Sequence, residues 1–206
     1  MPLPAEPLRR GDLLSDPLAQ FRAWFAAAGE GGVPAPEAMA LATATAWGVP
    51  SLRMVLLKGA DERGFSFFSN YLSRKGSELD ENPRAALLFH WEALGRQIRI
   101  EGAVTRLPAA ESDAYYRTRP PGSRLGAIAS PQSRPIASRE WLESRVAEVV
   151  AEVGGSEPER PEHWGGFVLR PGGFQFWQHR DDRLHDCFRY QRGGTGDGWA
   201  IEQLGP

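Results

Sequence analysis

Gln97-Ile98-Arg99-Ile100-Glu101-Gly102-Ala103-Val104 is the stretch that decides how this chain folds. Ile98 and Ile100 alternate with Gln97, Arg99 and Glu101, and a period of two residues belongs to a strand with one buried and one polar face. Four short apolar or alternating runs precede it, bounded by turn residues: Met39 to Thr45, Leu52 to Lys58, Phe65 to Ser69 and Ala85 to Trp91. That spacing predicts an antiparallel sheet or barrel from Ala38 to Leu107. Strands resume at Gly166 to Leu169, at Phe174 to Gln178 after a Pro171-Gly172-Gly173 turn, at Cys187 to Arg192, and at Trp199 to Leu204 after a glycine-rich turn.

Helices interrupt these strands without regular alternation. Asp16 followed by Pro17 reads as an N-cap and first helical residue, and Leu18, Phe21, Phe25 and Ala28 recur at helical spacing before Gly29. Ser73 to Leu79 reads as a loop entering a short helix before Pro83, with early amides free to bind an anion. A further helix over Glu111 to Thr118 is stopped by Pro120-Pro121-Gly122. Another runs from Arg139 to Val153 with Leu142, Val146, Val149, Val150 and Val153 on one stripe, ended by Gly154. Residues 1–15, rich in proline and charge, read as a mobile arm, and 16–206 as one α+β domain, barrel-like with peripheral helices. No G-x-G-x-x-G follows a strand and no Walker A run is present, which argues against a Rossmann or P-loop nucleotide site.

Composition bounds the partners. The chain has 206 residues, 26 acidic against 24 basic, so any anion site is local rather than a global basic surface. The lone Cys187 forms no intramolecular disulfide, Arg9-Arg10 lacks a following apolar segment, and no run is long enough to span a bilayer, so the expectation is a soluble protein of the cytoplasm. His90, His163, His179 and His185 show no metal-ligand spacing, so no metal is expected. Among the 24 basic residues only Lys58 and Lys75 are lysines, each ending or following a short basic cluster, where a compact ammonium suits an anion.

Four polar clusters are candidate chemistry. In Arg53-Met54-Val55-Leu56-Leu57-Lys58 a flat strand sends Arg53 and Lys58 to opposite faces, so they serve two anions or two parts of one ligand unless the strand bends, or they are merely the charged ends of a buried strand. Arg74-Lys75 at a helix start suits phosphate, or is a solvated pair. Tyr115 to Arg124, continued by Ser130 to Ser133, joins hydroxyls and guanidinium groups around tight turns, as a phosphate site or as a capped helix end. Trp177 to Asp186 runs from an apolar strand into polar residues, with Arg183 and His185 two apart and so on one side of an extended segment.

Several motifs in register carry a family likeness: Arg53 to Lys58, Asn70 with Ser73-Arg74-Lys75, Asn82-Pro83-Arg84 into Leu87-Leu88-Phe89, Arg96-Gln97, Ser130 to Ser133, His163-Trp164-Gly165-Gly166, Phe176-Trp177-Gln178 and Arg183-Leu184-His185-Asp186. From Asp12 to the C-terminus the chain resembles the pyridoxamine 5'-phosphate oxidase family. The resemblance implies a split β-barrel homodimer with one FMN at each of two sites built from both subunits. It implies oxidation of pyridoxamine or pyridoxine 5'-phosphate to pyridoxal 5'-phosphate, with O2 reduced to H2O2. By the same likeness Arg53, Arg74, Lys75 and Ser133 hold the FMN phosphate end, while Met54, Val55, Leu56, Leu57, Lys58, Phe68, Ser69, Gln97, Gln132 and Trp177 complete the flavin site. Lys58, Tyr115, Arg119 and Ser123 surround the substrate phosphate, and Arg183 and His185 stand against the substrate ring as the catalytic pair. Two alternatives are a related flavin oxidase acting on another aromatic substrate, as in phenazine biosynthesis, and a non-catalytic cofactor-binding module.

The chain departs from the family pattern at Cys187, where arginine is usual and contacts flavin, at Phe68 (usually tyrosine) and at Ile128 (usually tryptophan). The segment before Asp12 lacks the Arg-x-x-Tyr that covers the substrate in many members.

Overall fold

The computed structural model describes residues 6–193 and 198–206. Asp16 caps α1 (Pro17–Glu30), its carboxylate accepting the Leu18 and Ala19 amides, while Pro17 fills a first-turn position that needs no amide partner. The helix runs one residue past Gly29, to a cap at Gly31. Then come β1 (Ala38–Ala44), β2 (Pro50–Leu56), β3 (Gly59–Asp61), β4 (Gly64–Asn70), α2 (Arg74–Glu81), β5 (Arg84–Trp91) and β6 (Arg96–Arg106). The chain continues through α3 (Ala109–Thr118), α4 (Pro121–Ala129), α5 (Arg139–Val153), β7 (Trp164–Gln178), β8 (Asp186–Arg192) and β9 (Trp199–Leu204).

All pairings are antiparallel, in the order β2-β1-β5-β6-β7-β4-β3, with β8 also on β7 and β9 on β8. The sheet curls into a half-barrel over an aromatic core, so the expected α+β split barrel with peripheral helices is the observed architecture. Inward positions such as Phe67, Phe89, Ile98, Ile100 and Phe176 are fully buried. α1 closes the barrel: Phe21 meets Phe65 edge-on at 4.8 Å and Trp24 meets Phe176 at 5.3 Å. Each such ring contributes about 1.5–3 kcal/mol of burial.

Three expectations need correction. Pro171-Gly172-Gly173 makes no turn: β7 is one continuous strand of 15 residues. The register against β6 slips between Glu101 and Gly102, leaving Gly172 as the extra residue of a bulge, which accommodates a proline without an N–H. Gly102 is required there, because a Cβ would fall 2.0 Å from the Arg170 carbonyl oxygen. Pro120-Pro121 ends α3 but also starts α4, since Pro121 takes the first helical position. Third, of the stripe on α5 only Val149 is buried, and Val150 is 49% exposed, because α5 packs on α4 at the periphery.

The segment expected as a mobile arm lies outside the described residues at 1–5. Beyond that, Leu8 and Leu13 are buried in the core, and the Leu8 N–H donates to Asp186 Oδ2 at 3.0 Å. Apolar anchors here outweigh the proline-rich composition. The glycine-rich turn before β9 falls partly outside the described residues. No helix among the described residues is long and apolar enough to cross a membrane, and no group of three or more His, Cys, Asp or Glu among them is placed to hold a metal ion.

Candidate active site

The strand Arg53 to Lys58 bends. β2 stops at Leu56, the Leu57 side chain turns into the core, and the Lys58 N–H pairs with the Ser66 carbonyl at 2.8 Å. Arg53 and Lys58 therefore line one cavity of about 620 Å³, together with Met54, Val55, Leu56, Phe68, Ser69, Lys75, Tyr115, Arg119, Ser123 and Gln132.

At one end stands Arg53. Its Nη1 donates to the Leu41 carbonyl at 3.1 Å and to Thr43, and its Nη2 donates to Ser51 and lies 3.3 Å from Glu78 Oε2. Glu78 is 3% exposed and uses both oxygens: Oε2 also accepts Thr43 at 2.5 Å and Ser51, and Oε1 accepts Arg74 Nε at 2.9 Å. Burial alone raises the Glu78 carboxyl, but hydrogen bonds from Ser51, Thr43 and Arg74 and the charge of Arg53 outweigh it and hold the group at about 2.

Lys75 is nearly buried at the second position of α2, whose N-cap is Ser73. Its Nζ donates to Gln132 Oε1 at 2.9 Å, Ser69 Oγ at 3.0 Å and Ser73 Oγ at 3.2 Å. Burial, with Arg53 pushing the same way against Glu78, lowers this ammonium from 10.5 to about 8. Gly76 allows the packing of α2, since a Cβ there would sit 2.0 Å from the Tyr71 carbonyl oxygen.

The other end is aromatic and cationic. Phe68 stacks on Tyr115 at 3.9 Å and on Trp164 at 5.6 Å, and Lys58 Nζ lies 6.0 Å from the Tyr115 ring centre. Arg119 is extended between α3 and α4, as a residue before proline prefers, with its guanidinium 4.5 Å from the Trp164 ring. Its Nη1 is buried without a hydrogen-bond partner. A donor in that condition is held for a ligand acceptor or costs stability.

Gln97, Trp177, Arg183 and His185 do not reach this cavity. Gln97, Trp177 and Cys187 are in register across β6, β7 and β8, so their side chains share the sheet face opposite the core. The His185 ring lies 4.5 Å from Trp177 and 5.2 Å from His179. Arg183 has φ +61 in the turn leading to His185. Arg74 is 57% exposed beside Glu78, and Ser133 is exposed with φ +69 next to Gln132.

Thr118, Pro120 and Trp164 fall within stretches singled out in the sequence but carried no individual role there, and they stand on the cavity wall; sequence reasoning missed the Glu78 hub with Thr43 and Ser51. Glu78 carried a signal, four residues after Arg74 in a helix, whereas Thr43 and Ser51 carried none because they meet it only across strands.

A split antiparallel barrel with a cationic, aromatic-walled cleft defines a protein built to hold flat molecules bearing anionic groups. Residues 26–151 match the family model for pyridoxamine 5'-phosphate oxidase, and residues 164–206 that for the pyridoxine 5'-phosphate oxidase C-terminal dimerisation region. The chain belongs to the pyridoxamine 5'-phosphate oxidase family. It is 52% identical over 200 residues to a pyridoxine/pyridoxamine 5'-phosphate oxidase of Salinibacter ruber, covering 97% of this chain and 93% of the relative. It is 54% identical over 192 residues to that of Bordetella pertussis, covering 93% and 90%. Among solved structures, PhzG from Burkholderia lata 383, in complex with tetrahydrophenazine-1-carboxylic acid, superposes with TM-score 0.90 at 35% identity, covering 98% of this chain and 99% of that one.

Proposed function

We propose that the protein binds FMN and oxidises pyridoxamine or pyridoxine 5'-phosphate to pyridoxal 5'-phosphate, reducing O2 to H2O2. The observation that carries this reading is one cavity with two separate cationic ends, Arg53 with Lys75 and Lys58 with Arg119. Two phosphates on two flat molecules match two such ends. The unpartnered Arg119 Nη1 and the ammonium of Lys75, ringed by neutral acceptors, fit phosphate oxygens.

FMN supplies the acceptor for the two electrons leaving the substrate carbon. The chain's own residues do the rest: Lys75, Arg53, Ser69 and Gln132 fix the cofactor's phosphate end, while Lys58, Tyr115, Arg119 and Ser123 fix the substrate's phosphate. In this reading a second copy covers the outer sheet face, apolar at Leu52, Met54, Leu56 and Leu88, all at least 36% exposed in the single chain. It brings the Gln97, Trp177, Arg183 and His185 cluster of one copy over the cavity of the other.

The likeness to PhzG supports a second reading, oxidation of a phosphate-free aromatic acid. Lys58, Tyr115, Arg119 and Ser123 standing together in one cavity favour the phosphorylated substrate. Oxygen uptake after reconstitution with FMN decides: turnover of pyridoxine 5'-phosphate but not of unphosphorylated pyridoxine is expected. Equal turnover of both, or none with flavin bound, refutes the proposal.

A further inference from the structure

We infer that Trp164 is the positioning residue for Arg119: its ring face, in place of a carboxylate, holds the guanidinium ready for the phosphate of the substrate. That a phosphate is the ligand rests on the proposed function; that the ring orients the guanidinium does not.

Among the described residues the Arg119 guanidinium makes no ion pair and no hydrogen bond, and its Nη1 is buried. A long cationic side chain without a partner ordinarily samples many rotamers. Here two rings lie against it, Trp164 with its centre 4.5 Å from the guanidinium carbon and Tyr116 at 5.8 Å. The main chain beneath is already fixed, because the Arg119 N–H donates to the Tyr116 carbonyl at 3.1 Å and Pro120 and Pro121 follow. What remains to be set is the direction of the side chain, and the nearer ring face sets it.

Trp164 is itself immobile. It is 6% exposed at the start of β7, paired with Asn70 of β4. Its N–H donates to the Pro161 carbonyl at 3.0 Å, and its carbonyl accepts Arg160 Nη1 at 2.6 Å. Tyr116 packs against the indole at 5.2 Å with its plane tilted by 63°, while Phe68 and Tyr115 lie nearly parallel to it, at 17° and 8°. Phe68 has its place because residue 166 is glycine: a Cβ there would come within 2.8 Å of Phe68 Cε1. Both cations of this end therefore stand against near-parallel rings, Lys58 against Tyr115 and Arg119 against Trp164.

A ring suits this task better than an acid. No aspartate or glutamate is among the described residues lining the cavity. At the opposite end Arg53 is held by Glu78, whose charge subtracts from its own. A carboxylate beside Arg119 would orient it equally well but would repel an incoming dianion, whereas an aromatic face attracts the cation and carries no net charge. Arg119 thus keeps its whole charge and its free donors for the ligand.

The test places fluorinated tryptophans at position 164 alone in the FMN-loaded protein, keeping the shape of the ring while its negative face weakens stepwise. KM for pyridoxine 5'-phosphate should rise with each step, by about tenfold for the most fluorinated ring, with FMN affinity constant. A flat series overturns the inference. Trp164→Leu should raise KM about tenfold and more than it lowers kcat, and Trp164→Phe, which keeps a ring face, should stay within about threefold of wild type. In an Arg119→Met background the Leu substitution should add less than about twofold to KM, since the two side chains act as a unit. An equal rise in both backgrounds makes Trp164 part of the scaffold and overturns the positioning role. A readout independent of substrate is proton NMR: the side-chain signals of Arg119, assigned by their loss in Arg119→Met, should be displaced upfield by the indole ring current. Undisplaced signals in an active enzyme overturn the inference and leave the functional reading standing. Displaced signals in a loaded protein that does not oxidise pyridoxine 5'-phosphate overturn that reading and the phosphate role with it.

Discussion

Arg53 Nη2 lies 3.3 Å from Glu78 Oε2, joining an edge strand to the helix that carries Lys75. The pair is asymmetric in burial: Glu78 is 3% exposed and Arg53 19%. Glu78→Gln keeps the shape but puts an amide donor or a neutral acceptor where Thr43, Ser51 and two arginines need a carboxylate. A loss of about 2–3 kcal/mol in urea unfolding at pH 7 is expected, below the full cost of breaking a wholly buried pair because water reaches Arg53 and Arg74. Since the folded carboxyl lies at about 2, below its ordinary 4.5, this stabilisation is complete above pH 4.5 and lost as pH falls toward 2. Wild type and variant should converge there, and a constant difference down to pH 2 contradicts the assignment.

Lys75 predicts how cofactor binding depends on pH. In the ligand-free protein its ammonium is lowered from 10.5 to about 8, so above pH 8 a phosphate must bring a proton with it. FMN affinity should fall by at most about tenfold per pH unit above 8, while riboflavin, lacking phosphate, shows no such slope. Lys75→Arg should flatten the FMN curve. Between pH 8 and 10.5 the unfolded lysine holds a proton that the folded one has lost, so this group's contribution to the stability of the ligand-free protein rises with pH across that window.

Arg119 separates function from stability. Its buried Nη1 has no partner, so Arg119→Met should leave the melting temperature unchanged or raised, having removed an unpaid desolvation cost. The same change should raise KM for pyridoxine 5'-phosphate at least tenfold, at a cost of about 1.5–3 kcal/mol for a charged hydrogen bond, without altering FMN affinity. Destabilisation together with unchanged KM would place Arg119 in the scaffold.

Cys187 stands in register with Trp177, its thiol buried and accepting Gln175 Nε2 at 3.0 Å. Burial pushes the thiol up, so it offers no anion and no strong donor. Replacing it with the arginine usual in the family should tighten FMN by about 1.5–3 kcal/mol, roughly ten- to hundredfold, in a fluorescence titration. Unchanged affinity would mean that other donors already satisfy that part of the flavin.

Leu52 is 69% exposed on the outer sheet face and does not line the cavity. Leu52→Lys should therefore fold, sediment as a monomer and lose FMN, because the Gln97 and Trp177 row would no longer meet a partner's cavity. A folded variant that still dimerises and holds flavin would put the interface elsewhere.

Local rules made much of this legible. Asp16-Pro17 and Ser73 mark helix starts because capping is satisfied within a few residues. The alternation of Ile98 and Ile100 names the buried face of β6 because side chains alternate whatever the strand pairs with. Both Pro121 and Pro171 misled, since proline restricts its own backbone without saying whether a helix start, a turn or a bulge absorbs it.

By itself the chain determined an antiparallel α+β fold and the faces of its strands, and its family motifs singled out candidate cations for an anionic ligand. Only the tertiary structure decided that β2 breaks at Leu57 so that Arg53 and Lys58 share one cavity, that Glu78 gathers Thr43, Ser51 and both arginines, and that Gln97 and Trp177 face away from that cavity. Periodicity is written in neighbouring residues, but which faces meet depends on non-local strand pairing and on where buried charges find partners, and neither leaves a mark within one segment.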